Sequence, residues 1–179
     1  MALDWHTVES RSLGQDSLGH AIFDTTRTEI GELLFQYKYR GRVGALNHIV
    51  QLAMTKLNAF RGRYDVVVPI PPSSPVRIFT LRIASGIASG LKTKCSWTAL
   101  QKTKATEQLK TISDPLQRKS ILLGVYSAAP KELKNKTVLL VDDVYRSGAT
   151  MEAAAETLSG QGQARAVHVL AITRTRVNR

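Results

Sequence analysis

The sequence predicts an α/β domain in which helices flank a mainly parallel sheet. Two observations lead to this prediction. Continuous runs of branched apolar residues are typical of strands buried on both faces of a parallel sheet, and these runs alternate along the chain with segments whose apolar residues recur at helical spacing. The length of 179 residues fits one domain, which we expect to span residues 1–179.

The first predicted elements are a short strand and two helices. Residues 18–24 are mostly apolar and fit the strand. Thr26 and Glu29 match a capping box, in which a threonine oxygen and a glutamate carboxylate bind the first backbone N–H groups of a helix. We expect that helix to end at Gly41, and a second amphipathic helix to cover residues 44–60.

The remaining predicted elements form the core of the sheet. Gly86 and Gly90 lie within one helix, where we expect them to permit close packing on the sheet. Residues 101–119 are polar, basic and weakly periodic, which predicts a loop. The other elements are a strand at 66–70, a helix that includes 83–91, a strand at 95–100, a strand at 138–141, a helix over 150–159 and a strand at 166–173.

Composition excludes several classes of protein. A hydrophobic fraction of 43% and a charged fraction of 22% are typical of a globular protein, not of a disordered, collagen-like or coiled-coil chain. Cys95 is the only cysteine, which excludes an internal disulfide and a zinc knuckle and favours a cytoplasmic location. No apolar run approaches the ~18 residues of a membrane helix, so we expect no membrane association.

The charge balance indicates anionic partners. Twenty-five basic residues against 14 acidic ones give a net charge of +11, which favours binding to polyanions. This excess does not separate nucleic acid from a phosphorylated small molecule, and a basic surface that only meets solvent is the simplest alternative. Trp97 and Tyr126 provide little of the aromatic interleaving that base stacking needs.

Residues 137–150, TVLLVDDVYRSGAT, carry the strongest chemical signal. A predicted buried strand delivers Asp142 and Asp143 to its carboxyl end, where open parallel sheets bind their ligands. Two adjacent carboxylates can accept hydrogen bonds from a vicinal diol such as the ribose hydroxyls. The alternative is that the two acids only cap the following helix, a role that needs one acid and not two.

The turn after the two acids is predicted to bind a sugar phosphate. It leads into a helix whose amino terminus offers unpaired N–H groups and a positive dipole. Gly148 would allow close approach of the backbone, and the hydroxyls of Ser147 and Thr150 could donate to phosphate oxygens. The residues assigned to this turn are Val144, Tyr145, Arg146, Ser147, Gly148, Ala149 and Thr150.

Residues 138–150 resemble the phosphoribosyl pyrophosphate signature of type I phosphoribosyltransferases, in which two acids and a turn ending in Gly-x-Thr follow an apolar strand. The sequence departs from that pattern at Arg146, where a small hydroxyl residue is usual. The resemblance implies a type I phosphoribosyltransferase-like fold with a small amino-terminal hood. It also implies that phosphoribosyl pyrophosphate (PRPP) and Mg²⁺ bind.

Within this family the sequence is most similar to ComF-like proteins. Two features depart from them: their amino-terminal cysteine-rich zinc module is absent here, and residues 79–82 replace an Arg-Gly-Phe-Asn-like element. The segments that carry the likeness are residues 37–41, 69–71, 102–104 and 108–109, with Arg118.

The resemblance also implies roles for individual residues. Asp142 and Asp143 would hold the ribose hydroxyls and reach Mg²⁺ indirectly, through substrate and water. Ser73 and Ser74 would contact the pyrophosphate, and a plain rigid turn set by the prolines is the alternative for this loop. The cations that would neutralise this leaving group are Lys102, Lys104 and Arg77. Residues 101–119 would then form a lid over the pyrophosphate, and a solvated loop is the alternative.

Three functions remain open from the sequence. The first is transfer of phosphoribosyl to a nucleobase or another nitrogen nucleophile, with release of pyrophosphate. The second is a non-enzymatic, ComF-like accessory of DNA uptake that binds single-stranded DNA. The third is a nucleotide-sensing regulator. Because many relatives of this fold dimerise, the resemblance also implies a homodimer.

Overall fold

A parallel sheet organises the chain. The structure is a computed structural model that describes residues 1–15, 17–19, 21–72, 78–103 and 124–175. Within these residues the sheet has five strands, in the order β1-β9-β8-β4-β5, and every neighbouring pair is parallel. The strands are β1 (Ala2–Trp5), β4 (Val66–Pro69), β5 (Lys94–Cys95), β8 (Thr137–Tyr145) and β9 (Ala166–Arg174).

Two antiparallel ribbons and several helices surround this sheet. The ribbons pair β2 (Thr7–Gln15) with β3 (Ala21–Arg27), and β6 (Leu100–Lys102) with β7 (Tyr126–Ala128). The helices are α1 (Glu29–Arg40), α2 (Val43–Leu57, extended by a 3₁₀ turn at Asn58–Phe60), α3 (Phe79–Leu91), α4 (Pro130–Leu133) and α5 (Ala149–Gly160).

Both faces of the sheet are covered. Helices α1, α2 and α3 bury residues such as Leu34, Ile49 and Ile83 against one face. The β6–β7 ribbon, α4 and α5 cover the other face, where Leu133 and Leu158 are fully buried. This double cover explains the uninterrupted branched apolar runs at residues 66–68 of β4 and 138–141 of β8, and it confirms the predicted α/β class.

The amino-terminal segment differs from the prediction. Strands β1 and β2 were not predicted, and the strand expected at 18–24 lies at Ala21–Arg27. The predicted capping box is wrong, because Thr26 belongs to β3, where it pairs with Glu9. Thr28 caps α1 instead: its Oγ1 accepts a hydrogen bond of 3.1 Å from the Gly31 N–H. Gly41 ends α1 as expected.

The strand predicted at 95–100 is divided in two. Strand β5 ends at Cys95, and the chain then turns because the Ser96 hydroxyl accepts a hydrogen bond of 3.1 Å from the Ala99 N–H. Ser96 and Thr98 both donate to the Glu132 carboxylate of α4. Strand β6 then begins at Leu100, so the first residues of the predicted loop belong to a strand.

The two glycines of α3 face a helix, not the sheet. A Cβ added at Gly86 would lie 2.6 Å from Cγ2 of Val50, and one at Gly90 would lie 2.8 Å from Sδ of Met54. Both neighbours belong to α2. The expected close packing is therefore present, but it joins α3 to α2.

The β2–β3 ribbon lies outside the sheet, and we assign the predicted hood to it. Residues 8–15 of β2 are exposed, as are Ile22 and Phe23 of β3. No helix among the described residues is long and apolar enough to cross a membrane.

Candidate functional site

The site is located where the two central strands end. Strand β8 is buried from Thr137 to Val141 and only partly buried at the two acids that follow. Beside it, Pro69 of β4 pairs with Val141, and the Ile70 N–H donates to the Val141 carbonyl oxygen at 2.8 Å. The loop after β4 and the turn after β8 therefore begin side by side.

The two adjacent acids belong to opposite sides of the sheet. The Oδ2 atom of Asp143 accepts a hydrogen bond of 2.6 Å from Nζ of Lys38 on α1. Asp142 instead lies on the ribbon side, because it continues the face of Val138 and Leu140, which pack in the apolar cluster with the ribbon. This division follows from the alternation of side chains along a strand. A ligand bound by both acids must therefore lie across the end of β8.

Lys38 was not predicted as a site residue. Its side chain is 21% exposed and that of Asp143 is 19% exposed, so the ion pair is largely shielded from solvent. Lys38 follows the buried Tyr37 on α1. No local pattern connects it with a residue 105 positions away, and its place in the ComF-like segment at 37–41 assigned it no role in the site.

The electrostatics of the two acids are unequal. Burial, followed by the charge of Asp143, raises the pKa of Asp142 from its usual 3.8 to about 7. The Asp143 N–H donates to Asp142 Oδ1 at 2.8 Å, and this bond and the Lys38 charge oppose the rise. At neutral pH the pair therefore binds a proton more readily than two separate aspartates would.

A polar cluster supports Asp143 from β9 and the end of β1. The Thr173 hydroxyl, which is fully buried, donates to the Asp143 carbonyl oxygen at 3.3 Å. Because that hydroxyl has one hydrogen, the 3.2 Å contact from His6 Nδ1 to Thr173 Oγ1 requires the Nδ1–H form of His6. Burial and the charges of Arg27 and Lys38 lower the pKa of His6. His6 was also missed from the sequence.

The structure shortens the predicted turn to residues 146–148, because Val144 and Tyr145 belong to β8 and Ala149 and Thr150 belong to α5. Gly148 has a φ of +84° and immediately precedes α5. The ring of Tyr145 covers this glycine closely, since an added Cβ would lie 2.6 Å from the Tyr145 hydroxyl oxygen. Arg146 and Ser147 are exposed, whereas Ala149 and Thr150 are partly buried in the first turn of α5. A helix amino terminus thus begins directly beside the two acids.

The other predicted residues are only partly described. Lys102 is half-buried on β6, directly opposite Tyr126 in the ribbon, and burial lowers its pKa. The ribbon therefore places Lys102 on the same side of the sheet as Asp142. The predicted residues that lie outside the described part of the chain are Ser73, Ser74, Arg77 and Lys104, together with residues 105–119 of the predicted lid.

The described residues do not form a protein cage for a metal ion. Among the described residues no group of three or more His, Cys, Asp or Glu side chains could hold a metal. Asp143 already uses Oδ2 to bind Lys38. A magnesium ion fits these residues only if substrate and water supply most of its ligands.

Comparisons with solved structures show what the fold resembles. The allosteric regulatory enzyme of purine biosynthesis matches with a TM-score of 0.53 and 20% identity, over 87% of this chain and 34% of that one. This chain thus spans about a third of that enzyme. Orotate phosphoribosyltransferase from Aeropyrum pernix matches with a TM-score of 0.50 and 14% identity, over 92% and 73% of the two chains.

A third structure, adenine phosphoribosyltransferase from Saccharomyces cerevisiae, matches with a TM-score of 0.51 and 13% identity, over 93% of this chain and 83% of that one. The TM-scores of these three structures indicate a shared fold, and their identities with this chain are low enough that they show the fold alone. A search of curated protein sequences finds no match.

The family itself is shown by sequence. Residues 44–176, about three quarters of the chain, match the phosphoribosyl transferase domain. The match includes β4, β8 and the turn that follows the two acids. The chain therefore belongs to the phosphoribosyl transferase domain family.

Proposed function

We propose that this protein binds PRPP and transfers its phosphoribosyl group to a nitrogen nucleophile, with release of pyrophosphate. One observation carries the proposal: a central strand delivers Asp142 and Asp143 a few residues before the amino terminus of α5. A diol-binding group and a phosphate-binding group are thus located a few residues apart, as a ribose 5-phosphate requires.

The ribose would lie across the end of β8. Its two hydroxyls would donate to Asp142 and Asp143, which act from opposite sides of the sheet. Asp143 has Oδ1 left for this contact because Lys38 binds Oδ2. Holding the sugar at both hydroxyls and at the phosphate orients the anomeric carbon for displacement.

The 5-phosphate would bind the turn before α5. Backbone N–H groups at the start of this 12-residue helix are unpaired donors, and the helix dipole favours an anion there. The hydroxyls of Ser147 and Thr150 would add side-chain donors. Arg146 is exposed, so its guanidinium would contribute charge from the solvent side.

The departing pyrophosphate needs positive charge as its bond to the sugar breaks. Lys102, together with Lys104 and Arg77, would supply it. Magnesium, bound mainly through substrate and water, would add charge at the same oxygens, near Asp142 and Asp143.

The yeast adenine phosphoribosyltransferase binds an imino-altritol bisphosphate and adenine, which supports a nucleobase acceptor here.

Calorimetry with PRPP and Mg²⁺ tests the proposal. We expect binding to the wild type and loss of most affinity in Ser147→Ala/Thr150→Ala, with Thr55→Ala on α2 as an exposed control. A screen for pyrophosphate release over free bases then identifies the acceptor. Absence of PRPP binding by the wild type would exclude the proposal.

A second function, binding of single-stranded DNA, has one structural observation in its favour. The ring of Tyr39 on α1 is 70% exposed and lies 5.2 Å from that of Phe35, centroid to centroid. Arg27 and Arg40 both approach the Phe35 ring. An exposed aromatic ring among cations is a surface on which bases can stack.

The finer assignments are proposals as well. The ComF-like assignment rests partly on residues 37–41, which lie outside the family match at 44–176. A homodimer is proposed from the family resemblance, and a cytoplasmic location from the single cysteine, Cys95. One domain over 1–179 is proposed because both apolar clusters pack on the same sheet.

A further inference from the structure

Lys38 reaches the acidic pair from outside the family match. The match covers residues 44–176, whereas Lys38 belongs to α1 at Glu29–Arg40. Its Nζ nevertheless lies 2.6 Å from Asp143 Oδ2. The amino-terminal part of this chain therefore adds a fixed positive charge to a site whose two acids come from the matched part.

The environment of Lys38 favours a role beyond anchoring α1. Four-fifths of its side chain is removed from solvent, which costs free energy that one carboxylate contact only partly offsets. An ammonium group has three N–H donors, and among the described residues Nζ contacts only Asp143. Two donors are thus available to ligand oxygens at the end of β8.

Two adjacent carboxylates that bind a diol near a diphosphate create a local excess of negative charge. A divalent cation is one solution to this repulsion. A lysine fixed against one of the carboxylates is another, and it needs no ion from solution. Lys38 already supplies a positive charge at Oδ2 of Asp143, 2.6 Å from its Nζ.

We propose that Lys38 is the built-in counter-cation of the acidic pair, so that this protein binds the ribose 5-phosphate part of its ligand without a divalent cation. This inference rests on the proposed function. Lys38 holds Asp143 with Oδ1 directed to the ligand and donates its remaining N–H groups to oxygens of the diol or the diphosphate. The ligand class and the binding site remain those of the phosphoribosyl transferase domain. The positive charge beside the two carboxylates comes from a lysine and not from a divalent cation.

Calorimetry separates this role from a structural one. Ribose 5-phosphate and PRPP are titrated into the wild type, each once with EDTA and once with Mg²⁺. Lys38→Met removes the charge, Lys38→Arg retains it, and Lys56→Met removes an equal charge from an exposed position on α2. The diagnostic quantity is the ratio of Kd in EDTA to Kd in Mg²⁺, because a purely structural defect would weaken both equally.

We expect the wild-type ratio for ribose 5-phosphate to be close to one. In Lys38→Met we expect affinity in EDTA to fall by at least about tenfold, with much of the loss recovered in Mg²⁺. Lys38→Arg and Lys56→Met should keep the wild-type ratio.

A wild type that binds ribose 5-phosphate only with Mg²⁺, or a ratio unchanged in Lys38→Met, would overturn the inference and leave the proposed function intact. The first of these outcomes overturns the inference even if Lys38→Met does not fold. Failure of the wild type to bind PRPP under either condition would overturn the proposed function and the inference together.

Discussion

Gly31, in the first turn of α1, packs directly against the carbonyl group of His6, which follows β1. A Cβ added at Gly31 would overlap the His6 carbonyl oxygen and lie 3.2 Å from Oγ1 of Thr28. The same region is fastened by the Thr28 hydroxyl, which donates to the Trp5 carbonyl oxygen at 2.6 Å. Contact between a helix backbone and a strand backbone thus positions α1, and with it Lys38.

Gly31→Ala is therefore expected to destabilise the protein. Backbone atoms cannot move aside as a flexible side chain does, so we expect a loss of about 2 kcal/mol in the free energy of unfolding. Gly44→Ala is the matched control, because nothing lies within 4 Å of its added Cβ, and it should stabilise α2 by about 0.5 kcal/mol. Urea denaturation measures both, and equal effects of the two substitutions would contradict the packing argument.

Asp142 is expected to make stability fall as pH rises. Its pKa is about 7 in the folded protein against a usual 3.8, so between these values the folded state binds more protons than the unfolded state. Asp142→Asn removes this pH-dependent contribution to stability. The free energy of unfolding of the variant should therefore exceed that of the wild type by more at pH 8 than at pH 5.

Denaturation of the wild type and Asp142→Asn at the two pH values tests this. The lowered pKa of His6 has the opposite effect on stability, since it penalises folding as pH falls through 6.5. Because His6 is present in both proteins, its contribution cancels in the difference between their free energies of unfolding. A gain that does not change with pH would show that Asp142 titrates normally.

Gly148→Ala is expected to weaken both folding and phosphate binding. A φ of +84° costs a residue with a Cβ about 1 kcal/mol, and the new methyl group would displace the Tyr145 ring. The turn would then lose the shape proposed to bind the 5-phosphate. Gly160→Ala, at the other end of the same helix with open space around it, should change neither unfolding nor the Kd for PRPP.

The DNA-binding hypothesis predicts a strong salt dependence. If the positive charge follows a phosphate backbone, affinity for oligothymidylate should fall between about 50 and 200 mM salt, with a slope near 0.7 per neutralised phosphate. Tyr39→Ala and Arg40→Ala should each lower the affinity, whereas Lys56→Ala should lower it less. Fluorescence anisotropy measures this, and no binding at low salt would exclude the second function.

The sequence predicted the parts of the fold that local patterns determine. Strands β4 and β8 are recognisable because burial on both faces allows only apolar residues such as Val66–Val68. The four residues of β1 have no such pattern, since this strand lies at the edge and depends on β9 for its pairing. In the sequence both Thr26 and Thr28 could be the N-cap of α1. Thr28 has this role because β3 extends to Arg27 and includes Thr26.

The candidate site was also predictable only where a local sequence pattern determines it. Asp142, Asp143 and the turn at 145–150 are consecutive, so one segment identified them. Lys38 and His6 join the site only through the docking of α1 and β1, a long-range contact that no window of sequence contains. Their identification required three-dimensional contacts.

The pairing of β1 with β9 has a consequence for how the protein is made. During synthesis β1 leaves the ribosome long before its partner strand exists, so this pairing can form only after residues 166–174 have emerged. Closure of this edge is then a late event governed by a very long loop. Because His6 follows β1 and its carbonyl oxygen contacts Gly31, α1 and Lys38 would dock only after β9 has been synthesised.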